Sequence, residues 1–270
     1  MACGATPANL GQWNKNAEFW DQTLGEGNDL FLELILPTLE ELADAKPGDK
    51  VLDIGTGNGI VARRFARDGV HVVATDYSEA QIENARRRTE GSGKVVTFLQ
   101  LDLLDKSALD EFAEQFPQEF DIVTGSMLLK ELSDLKPLAE FLPKVLKPTG
   151  RIIMANLHPC FRKPGAHRVV EVTENPRTGA QEIQTLIKVS RYLNIGPVQS
   201  KALRGQPEPL LWFHRPIHQL LGPFFDAGLV VNMVREPSFQ SGEDPSLAQS
   251  YHNFPQIPMQ FIFRLVLLNP

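Results

Sequence analysis

The segment Lys50-Val51-Leu52-Asp53-Ile54-Gly55-Thr56-Gly57-Asn58-Gly59 constrains this chain more than any other. Its first half is a short apolar run, and three glycines then follow at alternate positions. Glycine has no Cβ and takes positive φ at no steric cost, so such a turn lets backbone approach a ligand closely. A buried strand that passes through it into a helix opens a parallel α/β sheet, whose ligands lie beyond the carboxyl ends of the strands. Ile60 to Asp68 has the helical spacing that this requires, and Gly69 stands where a C-terminal cap belongs.

The alternation extends in both directions. Leu30 to Ala45 carries apolar residues at helical spacing and ends before the turn cluster Lys46-Pro47-Gly48-Asp49. His71 to Thr75 is a second strand ending at Asp76, and Ser78-Glu79-Ala80-Gln81 resembles a capping box for a helix through Arg88. Val95 to Leu101 predicts a third strand and Lys106 to Phe116 a helix. Phe120 to Gly125 predicts a fourth strand, followed by a helix around Leu135 to Leu146. Pro148-Thr149-Gly150 then turns the chain into a fifth strand, Arg151 to Ala155. Strands alternating with helices at this spacing imply a doubly wound α/β fold, a parallel sheet with helices on both faces.

After the fifth strand the pattern breaks. The stretch from Leu157 to Phe213 is too long for a simple connection. Inside it, β-rich stretches at Arg168 to Thr173 and Ile183 to Tyr192 flank Asn175-Pro176-Arg177-Thr178-Gly179, which predicts a β-hairpin standing off the main sheet. A helix from Pro216 to Ala227 and strands near Val230 to Arg235 and Gln260 to Leu268 close the chain, and the last two could pair antiparallel. We expect one domain over residues 1–270, with an N-terminal helical cover (1–48) and an inserted lid (157–213).

Charge and cysteine usage narrow the function classes. Lys and Arg number 27 against 33 Asp and Glu, a net charge of −6, which argues against a nucleic-acid partner. Cys3 and Cys160 make neither a disulfide framework nor a four-ligand zinc site, as expected of a reduced, cytoplasmic protein. No signal peptide is visible before Trp20, and the apolar run Met259 to Leu268 is too short to span a bilayer, so no membrane partner is expected. The chain is expected to work as a monomer or homodimer on a small molecule.

Carboxylates separate the candidate ligands. A dinucleotide site wants Gly-x-Gly-x-x-Gly/Ala, and the last position is Ile60 here. Asp53, just before the glycines, would repel a pyrophosphate but suits an ammonium group. Asp76 ends the next strand, where a carboxylate can accept both hydrogens of a ribose diol, and Asp102 follows the third strand, within reach of an exocyclic amine. A strand-terminal Asp also serves as a turn former or helix cap. Three of them on successive strands are harder to explain that way.

This constellation resembles the class I S-adenosylmethionine-dependent methyltransferases, in particular the small-molecule branch related to quinone-biosynthesis methylases. The resemblance is carried by Asp53 to Gly59, Ala74-Thr75-Asp76-Tyr77-Ser78, Gln100-Leu101-Asp102, Phe120-Asp121-Ile122-Val123 and the turn Leu146 to Gly150. It implies a seven-stranded, mostly parallel sheet in the order 3-2-1-4-5-7-6 with strand 7 antiparallel. It also implies S-adenosylmethionine as cofactor and S-adenosylhomocysteine as product. Asp53, Gly55, Thr56, Gly57 and Gly59 would hold the methionine end, Asp76 the ribose, and Asp102 with Leu103 the adenine, with Tyr77, Ser126 and Trp20 also at the cofactor. Ser126 and Met127 lie where cofactor and acceptor should meet, and Trp13, Phe19 and Trp20 resemble a helical cover that closes the site in relatives, with simple core packing as the alternative.

Methyl transfer from a sulfonium needs a base only if the acceptor must lose a proton. Two histidines have a suitable address. His158 follows the fifth strand in His158-Pro159-Cys160-Phe161, and His214 stands in Trp212-Phe213-His214-Arg215-Pro216 where the lid re-enters the core. Each could equally be a hydrogen-bonded structural residue, and Cys160 is expected to serve packing. Trp13, Met127, Tyr192, Trp212 and Phe213 could line an apolar acceptor pocket. The chain reads Gly125-Ser126-Met127-Leu128 after strand four, not the Asn-Pro-Pro-Tyr-like tetrapeptide of nucleic-acid adenine and protein glutamine methylases. No acidic pair beside an Asn suggests a magnesium-dependent catechol site, so no metal is expected. The expected reaction is methylation of O, N, S or C on a small, partly apolar metabolite of secondary or quinone-like metabolism. Alternatives are a cofactor-assisted cyclisation or rearrangement, a nicotinamide-dependent oxidoreductase and a non-catalytic binding module.

Overall fold

The computed structural model describes residues 9–67, 69–240, 242, 244 and 247–269, and the side chain of Leu10 is left aside. Cys3 and the beginning of the expected N-terminal cover lie outside the described residues. Helix α1 (Leu10–Leu24) is followed by a π-helical turn, Leu30–Ile35, that runs directly into α2 (Leu36–Ala43). A single α-helix was expected from Leu30. Pro37 has no N–H to donate, and its ring crowds the carbonyl four residues back, so the chain widens and the Leu36 N–H reaches Phe31 O, five residues back.

Five strands then alternate with helices: β1 (Lys50–Ile54), α3 (Ile60–Phe65), β2 (His71–Asp76), α4 (Glu79–Thr89), β3 (Val96–Gln100), α5 (Lys106–Gln115), β4 (Phe120–Ser126), α6 (Lys136–Val145) and β5 (Leu146–Leu157). Helix α3 stops at Phe65, short of the expected end at Asp68, which lies outside the described residues. Gly69 is not its cap. Gly69 stands at φ +78, where an added Cβ would meet Pro47 Cβ at 3.0 Å, so the glycine lets two turns pass closely. Strand β5 begins earlier than expected because Leu146 already pairs with Phe120, and the register then slips before Ile122 meets Arg151.

After an insertion come α7 (Ile217–Asp226), β10 (Leu229–Arg235) and β11 (Gln260–Leu267). The sheet order is β3-β2-β1-β4-β5-β11-β10. Strand β11 runs antiparallel to both β5 and β10, which makes β10 and β11 the sixth and seventh strands of the expected order. Alternate residues enter opposite cores, as a sheet covered on both faces requires. Leu52 and Ile152 pack with α5, α6 and α7, while Val51 and Ile153 pack with α2, α3 and α4.

The insertion holds the expected hairpin, β6 (Ala166–Glu174) paired with β7 (Gln181–Val189), largely exposed and clear of the main sheet. It also holds a second pair that the alternation did not reveal, β8 (Val198–Ser200) with β9 (Leu210–Trp212). Three-residue strands carry too little periodicity to read from sequence.

Candidate functional site

The carboxyl ends of β1, β2 and β3 bring the three aspartates to one edge of the sheet. Asp53 is buried and accepts hydrogen bonds from Thr56 Oγ1 at 2.6 Å and Thr124 Oγ1 at 2.7 Å. Asp76 accepts from the backbone N–H groups of Gly57 at 2.9 Å and Ser78 at 3.0 Å. One carboxylate thus holds both the glycine loop and the start of α4, where Ser78 Oγ accepts from the Gln81 N–H. The capping box is half made, because Asp76 takes the Ser78 N–H and Gln81 Oε1 stays buried without a partner. Burial pushes both acids up to about 6; hydrogen bonds oppose this, and the nearby Asp76 charge adds to the rise at Asp53. Asp102 is half-buried and accepts the Leu104 N–H at 2.9 Å, forming the turn after β3.

The glycines differ in purpose. Gly57 stands at φ +55 with nothing within 4 Å of an added Cβ, whereas a Cβ on Gly59 would meet Ala85 Cβ at 3.1 Å. Gly59 therefore serves the packing of α3 on α4, and it does not line the cavity.

Helix α1 is fastened over this loop. Asp21, buried, accepts from Asn58 Nδ2 at 3.1 Å, Arg87 Nη2 at 3.1 Å and Arg88 Nε. Burial works to raise its pKa, but hydrogen bonds from Arg88 and Asn58 and the arginine charge hold it below the ordinary carboxylate value. Further along, Ser78 Oγ donates to Asn14 Oδ1 at 2.6 Å and Asn84 Nδ2 to Ala17 O at 3.2 Å.

A cavity of about 520 Å³ opens between these elements. Of the residues expected around the cofactor, Asp53, Gly55, Thr56, Gly57, Asp76, Tyr77, Asp102, Leu103, Ser126 and Trp20 all line it. Of those expected around the acceptor, Trp13, Met127 and Trp212 line it, and Phe213 and Tyr192 do not. Phe213 faces a small adjoining cavity, and the Tyr192 hydroxyl accepts the Ile217 N–H at 2.9 Å, at the start of α7. The cover over the cavity comes from β8, β9 and the loop joining them rather than from the expected hairpin, which contributes only Ala166. Five lining residues carry a buried polar atom with no partner: Trp20 Nε1, Gln81 Oε1, Ser126 Oγ, Ser133 Oγ and Arg162 Nε. Met127 takes φ +61, uncommon for a bulky residue, while its N–H donates to Ala155 O at 2.8 Å.

The two histidines lie elsewhere. His158 has Nε2 at 2.7 Å from Glu236 Oε1, accepts the Cys160 N–H at Nδ1, and stacks on Phe161. His214 has Nε2 at 2.8 Å from the Tyr192 carbonyl, so Nε2 carries the proton. Burial lowers both pKa values below the ordinary histidine value. Neither lines the 520 Å³ cavity, and His214 borders the small adjoining one beside Phe213. In the same segment Arg215 is also fully engaged. Its guanidinium binds the carbonyls of Leu129 at 3.0 Å, Leu132 at 2.7 Å and Ser133 at 3.0 Å, fixing the loop that follows β4.

Several lining residues were not anticipated: Asn9, Phe31, Lys130 with its ion-pair partner Glu131, Arg162, Lys163 and Tyr251. The only signal for Arg162 and Lys163 was their position just past Cys160-Phe161, and Tyr251 lies in the distant connection between β10 and β11. Among the described residues, no three His, Cys, Asp or Glu side chains gather in a way that could hold a metal ion.

A methyltransferase-domain family model matches residues 45–199, more than half of the chain. The chain belongs to the S-adenosylmethionine-dependent methyltransferases. Among curated proteins, this methyltransferase is 33% identical over 232 residues to the ubiquinone biosynthesis O-methyltransferase of Hahella chejuensis, covering 83% of this chain and 89% of that one. The protein of the same name from Vibrio atlanticus is 26% identical over 198 residues, 72% of this chain and 78% of its own length. In fold, the methyltransferase resembles the S-adenosylmethionine-dependent methyltransferase of Mesorhizobium loti, with TM-score 0.62, 19% identity, and coverage of 85% of this chain and 95% of that chain. Its cofactor is S-adenosylmethionine, which sets the nicotinamide alternative aside.

Proposed function

We propose that this methyltransferase moves the methyl group of S-adenosylmethionine to a nucleophilic atom of a small, partly apolar metabolite bound in the same cavity. The observation that carries the reading is the continuity of that cavity. It runs from the carboxylates at the ends of β1, β2 and β3 to an aromatic wall of Trp13, Phe31, Trp212 and Tyr251. When bound, the cofactor supplies a methyl group activated by its sulfonium. Asp53, Gly55, Thr56 and Gly57 would hold its methionine end, Asp76 and Tyr77 its ribose, and Asp102 with Leu103 its adenine, a reading supported by their shared place on the cavity wall. Each Asp76 oxygen keeps a lone pair beyond its backbone bond, enough for the two hydroxyls of a diol. The unpartnered Trp20 Nε1 and Ser126 Oγ supply polar contacts that a ligand would satisfy.

The chain contributes positioning and exclusion of water, which suffice for much of an in-line displacement. Helix α1 and the β8–β9 pair serve as the cover. His158 and His214 act as structural residues, and Trp13, Met127 and Trp212 contact the acceptor. The names of the curated relatives support an oxygen atom on a quinone-like or secondary metabolite as the first acceptor to try. Among the described residues no helix is long and apolar enough to cross a membrane. The acidic balance and two cysteines support a cytoplasmic protein without a nucleic-acid partner. Calorimetric titration with S-adenosylhomocysteine, with NADH as control, tests the site. Saturable binding of the former alone is expected, and mass analysis of products from trial acceptors then separates methylation from rearrangement. Binding of NADH in its place would sink the reading.

A further inference from the structure

The charges lining the cavity are sorted by position along the sheet. Asp53 and Asp76 stand at the carboxyl ends of β1 and β2, and Asp102 just beyond β3. Across β4, beyond the end of β5, stand Arg162 and Lys163. Lys130 and Glu131, on the loop after β4, pair with each other, and Lys201, just past β8, donates to the Pro207 carbonyl at 2.8 Å.

Neither Arg162 nor Lys163 forms an ion pair with a carboxylate among the described residues. Lys163 is 4% exposed, and its Nζ has one partner, the Pro164 carbonyl at 3.1 Å. Arg162 donates to the Tyr251 hydroxyl and lies over that ring at 4.5 Å, while its Nε is buried with no partner. Arg168 lies over the same ring at 4.1 Å. Burial depresses Lys163, and the neighbouring Arg191 charge depresses it further. A buried cation without a counter-ion is costly, and like charges gathered nearby add to the cost. The arrangement makes physical sense if an anion completes it.

We propose that Arg162 and Lys163 form an anion-binding subsite at the acceptor end of the cavity, and that the methyl acceptor is an apolar or aromatic molecule bearing a carboxylate. Two cations suit a singly charged group, with the lysine ammonium as a point charge and the free Arg162 Nε–H as a directed donor. Tyr251 fixes the guanidinium, and the aromatic wall receives the apolar body of the molecule. The subsite rests on the methyltransferase reading only in naming the bound anion as the acceptor.

The test compares 2-naphthoate with 2-naphthylmethanol, its neutral counterpart of similar shape, by calorimetry with and without S-adenosylhomocysteine. The expected result is at least about tenfold tighter binding of naphthoate, as for a charge-assisted hydrogen bond. Lys163→Met and Arg162→Met should each erase most of that preference while S-adenosylhomocysteine affinity stays within about twofold. Lys163→Met keeps the apolar stem and removes a desolvated charge, so it should melt no lower than the parent. Naphthoate binding no tighter than the alcohol, or a preference that survives Lys163→Met, would overturn the subsite. Failure of the parent to bind S-adenosylhomocysteine would instead refute the cofactor reading, and the preference measured without that ligand would still decide the subsite.

Discussion

Affinity for S-adenosylhomocysteine should fall steeply as the pH drops from 8 to 5. Asp53 and Asp76 each titrate near 6 in the free protein because burial disfavours their charged forms. The unfolded values lie near 3.8, so these two groups add stability that is fully present below that pH and lost as pH rises through 6. The loss is about 3 kcal/mol each when complete. A ligand that donates hydrogen bonds to both carboxylates favours their ionised forms and must displace any protons they hold. At pH 5 a group with pKa 6 is ionised in about one molecule in ten, so binding weakens about tenfold per group and about a hundredfold for the pair. The ligand's own carboxyl and amine titrate outside this window. Calorimetry in two buffers of different ionisation enthalpy would measure both the affinity and the protons released, with up to two expected near pH 5. Asp76→Asn should roughly halve the slope. An affinity constant within twofold from pH 5 to 8, or proton uptake on binding, would refute the placement of the ligand on these acids.

Other expectations follow from the same geometry. Asp76→Ala removes the acceptor for the ribose and for the Gly57 and Ser78 N–H groups, so S-adenosylhomocysteine binding at pH 7.5 should weaken by about 1–3 kcal/mol; unchanged affinity would mean the diol lies elsewhere. Gly57→Ala meets no atom of the protein but holds an L-residue at φ +55, at a backbone cost of about 1–2 kcal/mol in denaturant unfolding. Because its Cβ enters the loop's free space, ligand affinity should drop as well, and normal affinity would move the ligand off the loop. Asp21→Ala leaves Arg87 to Asn84 and Glu18 and Arg88 to Glu26 but removes the buried joint between α1 and α4, which should cost about 1–3 kcal/mol of stability; an unaltered melting curve would show that the clamp carries nothing. His214→Ala should lower stability by about 1 kcal/mol through its lost bond to the Tyr192 carbonyl and leave cofactor affinity unchanged; a large fall in turnover with normal stability would restore a catalytic role.

Much of the architecture was legible locally. Apolar runs and helical spacing located the five alternating strands and the closing antiparallel pair to within a few residues, because every strand of a doubly covered sheet must be apolar on both sides. Parallel strands then oblige the residues at their carboxyl ends to share one edge, so the alternation alone puts Asp53, Asp76 and Asp102 together. Where spacing stopped being informative, tertiary structure decided. The π-helical turn at Leu30–Ile35, the early end of α3 and the short β8–β9 pair depend on a proline's missing donor, a close passage of turns and contacts distant in sequence. The direction of a side chain in a lid is likewise set by what packs against it. His158 turns to Glu236 and His214 to the Tyr192 carbonyl, while Arg162 and Lys163 are left facing the cavity beside Tyr251. Local pattern specifies which face of a helix or strand is buried, but no period governs an irregular insertion, so its chemistry emerges only when the chain is packed.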